Sequence, residues 1–159
     1  MKIFLIGPMG SGKSTIGKVL SERLEYDFYD TDKLVEKVVG KKIKEIFEQN
    51  GEQYFRLKES EELDKTRKLK NAVIATGGGI IENEKNRLFL KEEKKVSTNT
   101  LLIHGDSDEI VSPNFMLEAK DFFERNNLKI DTHLVKNCGH HIPIEASSIA
   151  LNYISKKFN

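Results

Sequence analysis

The sequence predicts an α/β fold: a three-layer αβα sandwich around a five-stranded parallel sheet. Two observations predict it. Short apolar runs alternate with stretches of helical period along the whole chain, and the first run ends at a glycine-rich turn that opens directly into an amphipathic helix. Strands that alternate with helices require right-handed crossovers, which place helices on both faces of a parallel sheet. Ligands of such sheets gather beyond the carboxyl ends of the strands.

The elements follow in order. Residues 3–6 form a continuous apolar run stopped by Gly7, which reads as a strand buried on both faces. A helix starts at Lys13, with Ile16, Val19, Leu20 and Leu24 on one stripe. Residues 27–30 read as a second strand, and residues 31–70 as charged helix broken at Gly40 and at Asn50-Gly51. Residues 72–76 are a third apolar strand, ended by Gly77-Gly78-Gly79. A helix near 82–92, a strand at 100–103, a helix at 113–126, a strand at 130–135 and a helix near 144–157 complete the pattern.

A length of 159 residues suits a single domain, 1–159. The nearest thing to a boundary is the charged run Lys91-Glu92-Glu93-Lys94-Lys95, followed by Ser97-Thr98-Asn99. Charged residues make up 32% of the chain but cancel to a net charge of +1, which argues against nucleic-acid or membrane attraction. One cysteine, Cys138, cannot close an intrachain disulfide, so a reducing, cytoplasmic setting is expected. No run approaches the ~18 apolar residues of a membrane span.

Gly7-Pro8-Met9-Gly10-Ser11-Gly12-Lys13-Ser14 matches G-x-x-x-x-G-K-[ST] between strand and helix, the signature of a P-loop NTPase-like fold. Gly7, Gly10, Ser11 and Gly12, with Thr15 beyond, let main-chain N–H groups turn inward on phosphate oxygens at a helix N-terminus. Lys13 would reach the β- and γ-phosphates of ATP, and the Ser14 hydroxyl would ligate Mg²⁺. The competing reading is a glycine-rich turn that merely precedes a helix.

Asp30-Thr31-Asp32 follows the second strand. If the strand continued, both carboxylates would point to one side, one near the metal and one able to take a proton from an attacking hydroxyl. The alternative is an Asx turn with a helix N-cap at Asp32, and the pair alone leaves both readings open. Arg56 could clasp a carboxylate bidentately or pair with a glutamate at helical spacing. Gly77, Gly78 and Gly79 could admit close approach of a ligand or form a loose turn.

The P-loop, Asp30-Thr31-Asp32, Phe55-Arg56-Leu57-Lys58-Glu59 and the triglycine, taken in this order and spacing, resemble shikimate kinases over about residues 1–95. The resemblance implies a P-loop kinase that moves the γ-phosphoryl group of ATP, with Mg²⁺, to a hydroxyl of shikimate. It implies that Lys13 and Ser14 hold phosphates and Mg²⁺, that Asp30 supports the metal, and that Asp32 binds the acceptor hydroxyl and serves as base. Arg56 would grip the substrate carboxylate, and Gly77–Gly79 would line its pocket. A monomer is expected.

Beyond that stretch the family's arginine-bearing lid and late arginines are not visible; after Arg87 the remaining arginine is Arg125. This implies reduced or abolished turnover, with a non-catalytic ATP/Mg²⁺-binding domain as the alternative. Leu101-Leu102-Ile103-His104-Gly105-Asp106-Ser107-Asp108 and Cys138-Gly139-His140-His141 resemble the C-terminal end of an α/β-hydrolase of the carboxylesterase type, over about residues 96–159. Asp108 and His140 would then be acid and base partners of a triad. No G-x-S-x-G is present, and Ser11 comes closest with Met9 in place of the first glycine, so a residual esterase is the weakest reading. A chimeric chain joined near residue 96 is the corresponding expectation. His104 and His133 are expected to line strand ends, and the loop 137–141 to bring His140 or His141 against adenine.

Overall fold

The computed structural model describes residues 1–92, 100–125 and 129–158. Among the described residues, five strands alternate with six α-helices, and every strand pairing is parallel. The α/β architecture read from the alternation is therefore present. The chain divides into two compact units, Met1–Met9 with Lys13–Lys95, and Gly10–Gly12 with Val96–Asn159, and each is described in its own right. The expected junction near residue 96 and the polar triplet at 97–99 lie outside the described residues.

The first unit carries β1 (Lys2–Leu5), α1 (Lys13–Leu24), β2 (Asp27–Asp30), α2 (Thr31–Val39), α3 (Ile43–Lys65), β3 (Ala72–Ala75) and α4 (Glu84–Glu92). Its strands form a sheet in the order β1-β3-β2. The central position explains the burial: Ala72, Val73, Ile74 and Ala75 are all buried, whereas β1 is only half-buried and Ile6 is 47% exposed. The expectation that the first strand is buried on both faces thus fails. An apolar run identifies a strand, but its neighbours in the ladder decide which strand is central.

On α1, Ile16 and Leu20 are buried and Val19 and Leu24 half-buried, so the predicted stripe faces inward. Gly17 completes it. A Cβ there would lie 2.5 Å from the Phe28 ring, so only glycine lets α1 lie this close to β2. Gly40, at φ 73°, ends α2 and donates to Glu36 O, and Gly51, at φ 81° and ψ 167°, breaks α3. Both predicted interruptions are present. Helix α3 serves two cores: Ile46 and Phe55, on either side of the break, pack with Val35, while Leu63 packs with Ile80, Phe89 and Leu90 against Phe4.

The second unit carries β4 (Thr100–Gly105), α5 (Asn114–Arg125), β5 (Ile130–Val135) and α6 (Ala146–Phe158), with β4 and β5 paired over their full lengths. The predicted five-stranded sheet is accordingly observed as three strands and two, with no ladder between the two sheets among the described residues. Sequence period marks strands but carries no information on which edges pair. His133 stands in the middle of β5, opposite Ile103, and is exposed, so it does not line a strand end. Tyr153 of α6 donates its hydroxyl to Thr100 O at 3.0 Å, pinning the last helix to β4. No described helix is long and apolar enough to cross a membrane.

Candidate active site

The phosphate loop occupies the turn between β1 and α1. Gly10 and Gly12 adopt φ of 81° and 84°, the left-handed region that turns successive N–H groups to one side and that residues with a Cβ seldom enter. Lys13 begins α1, and its ammonium donates to Pro8 O at 2.6 Å, holding the side chain back along the loop. Burial draws its pKa below the ordinary lysine range, and the carboxylates of Asp32 and Asp30 oppose that shift. A partly desolvated ammonium of this kind gains most from an incoming polyanion.

The next residue, Ser14, donates its hydroxyl to Asp30 Oδ2 at 2.6 Å. Asp30 Oδ1 accepts the N–H of Lys33 at 3.3 Å, so Asp30, the last residue of β2, is also the N-cap of α2. This corrects two expectations. The strand does not run on through Asp32, and the cap is Asp30 rather than Asp32. Asp32 lies in the first turn of α2, where strand alternation has no bearing, yet the sharp strand-to-helix change still brings it to the same mouth. A hydroxyl and a carboxylate 2.6 Å apart are hard oxygen donors. With phosphate oxygens they match the sparse protein ligation typical of Mg²⁺.

Asp32 and Glu59 form the back of the site. Asp32 Oδ1 and Glu59 Oε1 are buried with no hydrogen-bond partner among the described residues. Both converge on Gly77: a Cβ there would lie 2.1 Å from Glu59 Oε1 and 2.6 Å from Asp32 Oδ1. Burial, then the charge of Asp30, pushes the Asp32 carboxyl above the usual range, against the pull of Lys13 and Arg56. Burial likewise raises Glu59, against the Arg56 hydrogen bond and with a further push from Asp32. Two acceptor oxygens left unsatisfied at one point are costly unless a donor arrives. A hydroxylated ligand carries such donors.

Arg56 supplies the cation. Its guanidinium donates to Glu59 Oε2 at 3.1 Å and to Glu52 Oε1 at 3.2 and 3.3 Å, and it lies 3.7 Å from Glu82 Oε2. Burial disfavours its charge, but the bonds it donates to Glu59 and Glu52 outweigh this and raise its pKa. The helical-spacing pair that competed with ligand binding in the sequence reading is thus present. The three carboxylates differ, however: Glu59 is fully buried, while Glu52 and Glu82 are 60% and 69% exposed and can swing away. A hollow of about 520 Å³ opens beside Arg56, lined by Glu52, Gln53, Leu57, Glu82 and Asn83.

Each glycine of the triplet admits a different group. Gly77 admits the two carboxylates. Gly78 admits the phosphate loop, since its Cβ would meet Met9 N at 2.8 Å, and Gly79 admits the Arg56 guanidinium at 2.5 Å. The predicted residues Lys13, Ser14, Asp30, Asp32, Arg56, Gly77, Gly78 and Gly79 therefore stand around one mouth of the first unit. In the sequence, the spacing of Glu59 three residues after Arg56 is the one signal of its place here, and Thr31 is marked only by standing between Asp30 and Asp32.

In the second unit Asp108 and His140 do meet. His140 Nδ1 lies 3.1 Å from Asp108 Oδ2, and Asp108 Oδ1 accepts the N–H groups of Ile110 and Val111 at 2.9 Å each. His104 Nδ1 lies 2.9 Å from Gly105 O. Cys138 is buried, which raises its thiol pKa. Gly105 lies against the main chain of Cys138 and Gly139, where a Cβ would meet carbonyl oxygens at 2.2 and 2.3 Å. The two motifs read as hydrolase-like are thus the packed carboxyl ends of β4 and β5, where small residues and a hydrogen-bonded Asp–His pair close the sheet.

The fold and the glycine-rich loop ahead of α1 are those of P-loop proteins. The family model for shikimate kinase matches residues 9–113. A shikimate kinase of Sulfurihydrogenibium sp. is 41% identical over 129 residues, covering 77% of this chain and 78% of that protein. The chain belongs to the shikimate kinase family. A bifunctional shikimate kinase/3-dehydroquinate synthase of Thermotoga maritima is 52% identical over 94 residues, which cover 59% of this chain and 19% of that protein. The chain spans about half the length of several other curated relatives. The solved shikimate kinase from Acinetobacter baumannii in complex with shikimate superposes with a TM-score of 0.68 at 28% identity, over 99% of this chain and 95% of that one. The family match crosses residue 96, and the structural likeness runs to the end. The comparisons support neither a hydrolase segment nor a chimeric chain.

Proposed function

We propose that the chain transfers the γ-phosphoryl group of ATP to a hydroxyl of shikimate, or of a closely similar hydroxylated carboxylate. The observation that carries this reading is the pair of unpartnered oxygens on Asp32 and Glu59 beside Lys13, Ser14 and Arg56. They face a mouth that already has partners for phosphate and carboxylate. Family membership and the shikimate bound to the A. baumannii relative support the choice of acceptor.

The main-chain N–H groups of Gly7, Gly10, Ser11, Gly12 and Thr15 would bind phosphate oxygens, and Lys13 would neutralise charge on the transferring group. Ser14 and Asp30 would hold Mg²⁺, which when bound screens the phosphate charges. Asp32 would accept the acceptor hydroxyl's hydrogen bond and take its proton as the new P–O bond forms. Arg56 would exchange Glu52 and Glu82 for the acceptor carboxylate while Glu59 keeps it in place.

ADP release measured with and without shikimate tests this. A shikimate-dependent rate that Lys13→Ala abolishes is expected. ATP binding without any shikimate-dependent rate would leave a nucleotide-binding domain and remove the kinase reading. Turnover below that of relatives bearing late arginines is expected, because such an arginine contributes roughly 10³–10⁵ in other phosphoryl-transfer enzymes.

A further inference from the structure

The triglycine turn meets three functional groups, so whatever holds the turn sets the shape of the site. Its root is tied twice. Thr76, the residue after β3, donates its hydroxyl to Leu5 O at 3.0 Å and its N–H to the same oxygen at 3.1 Å, fixing the turn to β1. Gly77 donates its N–H to Thr31 Oγ1 at 2.9 Å, fixing it to the first turn of α2. Thr31 is fully buried and stands between Asp30 and Asp32 in sequence. Past this point the anchoring ends: no acceptor takes the Gly78 or Gly79 N–H among the described residues.

We propose that Thr31 is a positioning residue for phosphoryl acceptance: its hydroxyl holds the Gly77 amide and so fixes the gap between the triglycine turn and the Asp32 and Glu59 carboxylates. The proposal rests on the kinase reading for its consequence but on geometry for its contact. A buried N–H must have an acceptor, and no main-chain oxygen serves Gly77. With the hydroxyl in place, Gly77 can sit against Asp32 Oδ1 and Glu59 Oε1 without a side chain intervening. Without it, the turn must move to satisfy its N–H, and both the oxygens and the Gly78 and Gly79 donors shift against the acceptor. The phosphate loop has its own tie from the Lys13 ammonium to Pro8 O, and it meets the turn only where Met9 lies against Gly78, one residue beyond this bond.

The test compares Thr31→Val, which keeps the shape and removes the acceptor, with Thr31→Ser, which keeps the acceptor. Three quantities are read: kcat/KM for shikimate, ADP affinity by calorimetry, and Gly77 amide exchange by NMR. Thr31→Val is expected to lower kcat/KM for shikimate about 10- to 100-fold, the scale of a misplacement near 1 Å. It should change ADP affinity less than about threefold and speed Gly77 exchange, while Thr31→Ser stays within about threefold of wild type throughout. Unchanged shikimate kinetics in Thr31→Val, or equal damage in Thr31→Ser, overturns the proposal. So does a parallel fall in ADP affinity, which would mark a general structural role. A wild type without shikimate-dependent ADP release sinks the kinase reading instead. In that case Gly77 protection in wild type and Thr31→Ser, lost in Thr31→Val, still supports the anchor, and an unprotected wild-type Gly77 removes it.

Discussion

Half-buried Asp32 in the first unit and buried Asp108 in the second each hold carboxylate oxygen out of water near the carboxyl end of a parallel strand, and they are treated in opposite ways. Asp108 has all it needs: Ile110 and Val111 N–H groups on one oxygen and His140 on the other. Burial pushes its carboxyl up, but these bonds outweigh burial and hold it below the usual carboxylate range. Asp32 has an oxygen with no partner among the described residues, a second such oxygen on Glu59 beside it, and a raised value. A satisfied buried carboxylate holds a loop together, whereas an unsatisfied one marks where a ligand belongs.

The sharpest way to break this contrast is to neutralise each carboxylate in turn. Asp32→Asn is expected to lower shikimate-dependent turnover by about 10²–10⁴, the range of a lost general base, without lowering the melting temperature. Asp108→Asn is expected to lower the melting temperature and leave turnover per folded molecule unchanged. Turnover measured beside calorimetric unfolding checks both. A destabilised Asp32→Asn with intact turnover would reverse the assignment.

Next in size are the glycines. Gly78→Ala sets a Cβ 2.8 Å from main-chain Met9 N, and backbone cannot step aside cheaply. A loss of about tenfold in nucleotide affinity is expected, near 1.4 kcal/mol. Gly79→Ala sets its Cβ 2.5 Å from the end of the Arg56 side chain, which can swing. A rise of about three- to tenfold in KM for shikimate, with nucleotide affinity kept, is expected. Titrating both ligands into both variants checks the pair, and the same ligand suffering in each would show that the two glycines do not divide the work.

How much of this could be read in advance follows from where the information lies. The P-loop and the breaks at Gly40 and Gly51 are local: each needs a backbone conformation that a glycine signals directly. The burial of β3 over β1, and a sheet of three strands with another of two, are decided by pairing partners that no run of residues specifies. Glu59 was hidden because an Arg–Glu pair at helical spacing ordinarily lies on the surface, and its full burial becomes visible only when α3 is packed. Thr31 is hidden for a different reason: a hydroxyl beside two carboxylates carries no sequence signal for a bond to Gly77, 46 residues away. His-Gly-Asp and Cys-Gly-His-His pointed to another enzyme because strand ends in different α/β proteins meet the same packing demands.

The pH dependence of stability sharpens the contrast further, with smaller effects. Asp32 and Glu59 have raised values in the fold, so their contribution is full below the ordinary carboxylate range near about pH 4 and is lost as pH rises through the raised values. Asp108 has a lowered value, so its contribution is present above about pH 4 and lost as pH falls. Glu36, lowered by the Lys42 hydrogen bond, and Asp106, lowered by the Ser107 hydroxyl, share that acid flank. Melting temperature followed from acid to neutral pH should therefore flatten on its upper flank in Asp32→Asn and on its acid flank in Asp108→Asn. The same flank flattening in both would mean that hydrogen bonding does not set the difference.

The smallest expected effect concerns the loop after β5, proposed from the sequence as the adenine contact through His140 or His141. The two rings are now unequal. His140 is held by Asp108 at 3.1 Å and is largely covered, whereas His141 is exposed. A ring committed to a carboxylate cannot reorient onto a base without breaking that bond, so we propose His141 rather than His140 for this contact. Stacking of a base on an aromatic side chain contributes about 1–3 kcal/mol, and the low end suits an exposed imidazole. His141→Ala should weaken ATP binding by about three- to tenfold and leave shikimate KM unchanged, and GTP should lose a similar factor, since stacking does not depend on base edges. Calorimetric titration of both nucleotides decides it: unchanged affinities place the base elsewhere, and a loss confined to ATP points to a hydrogen bond rather than a stack.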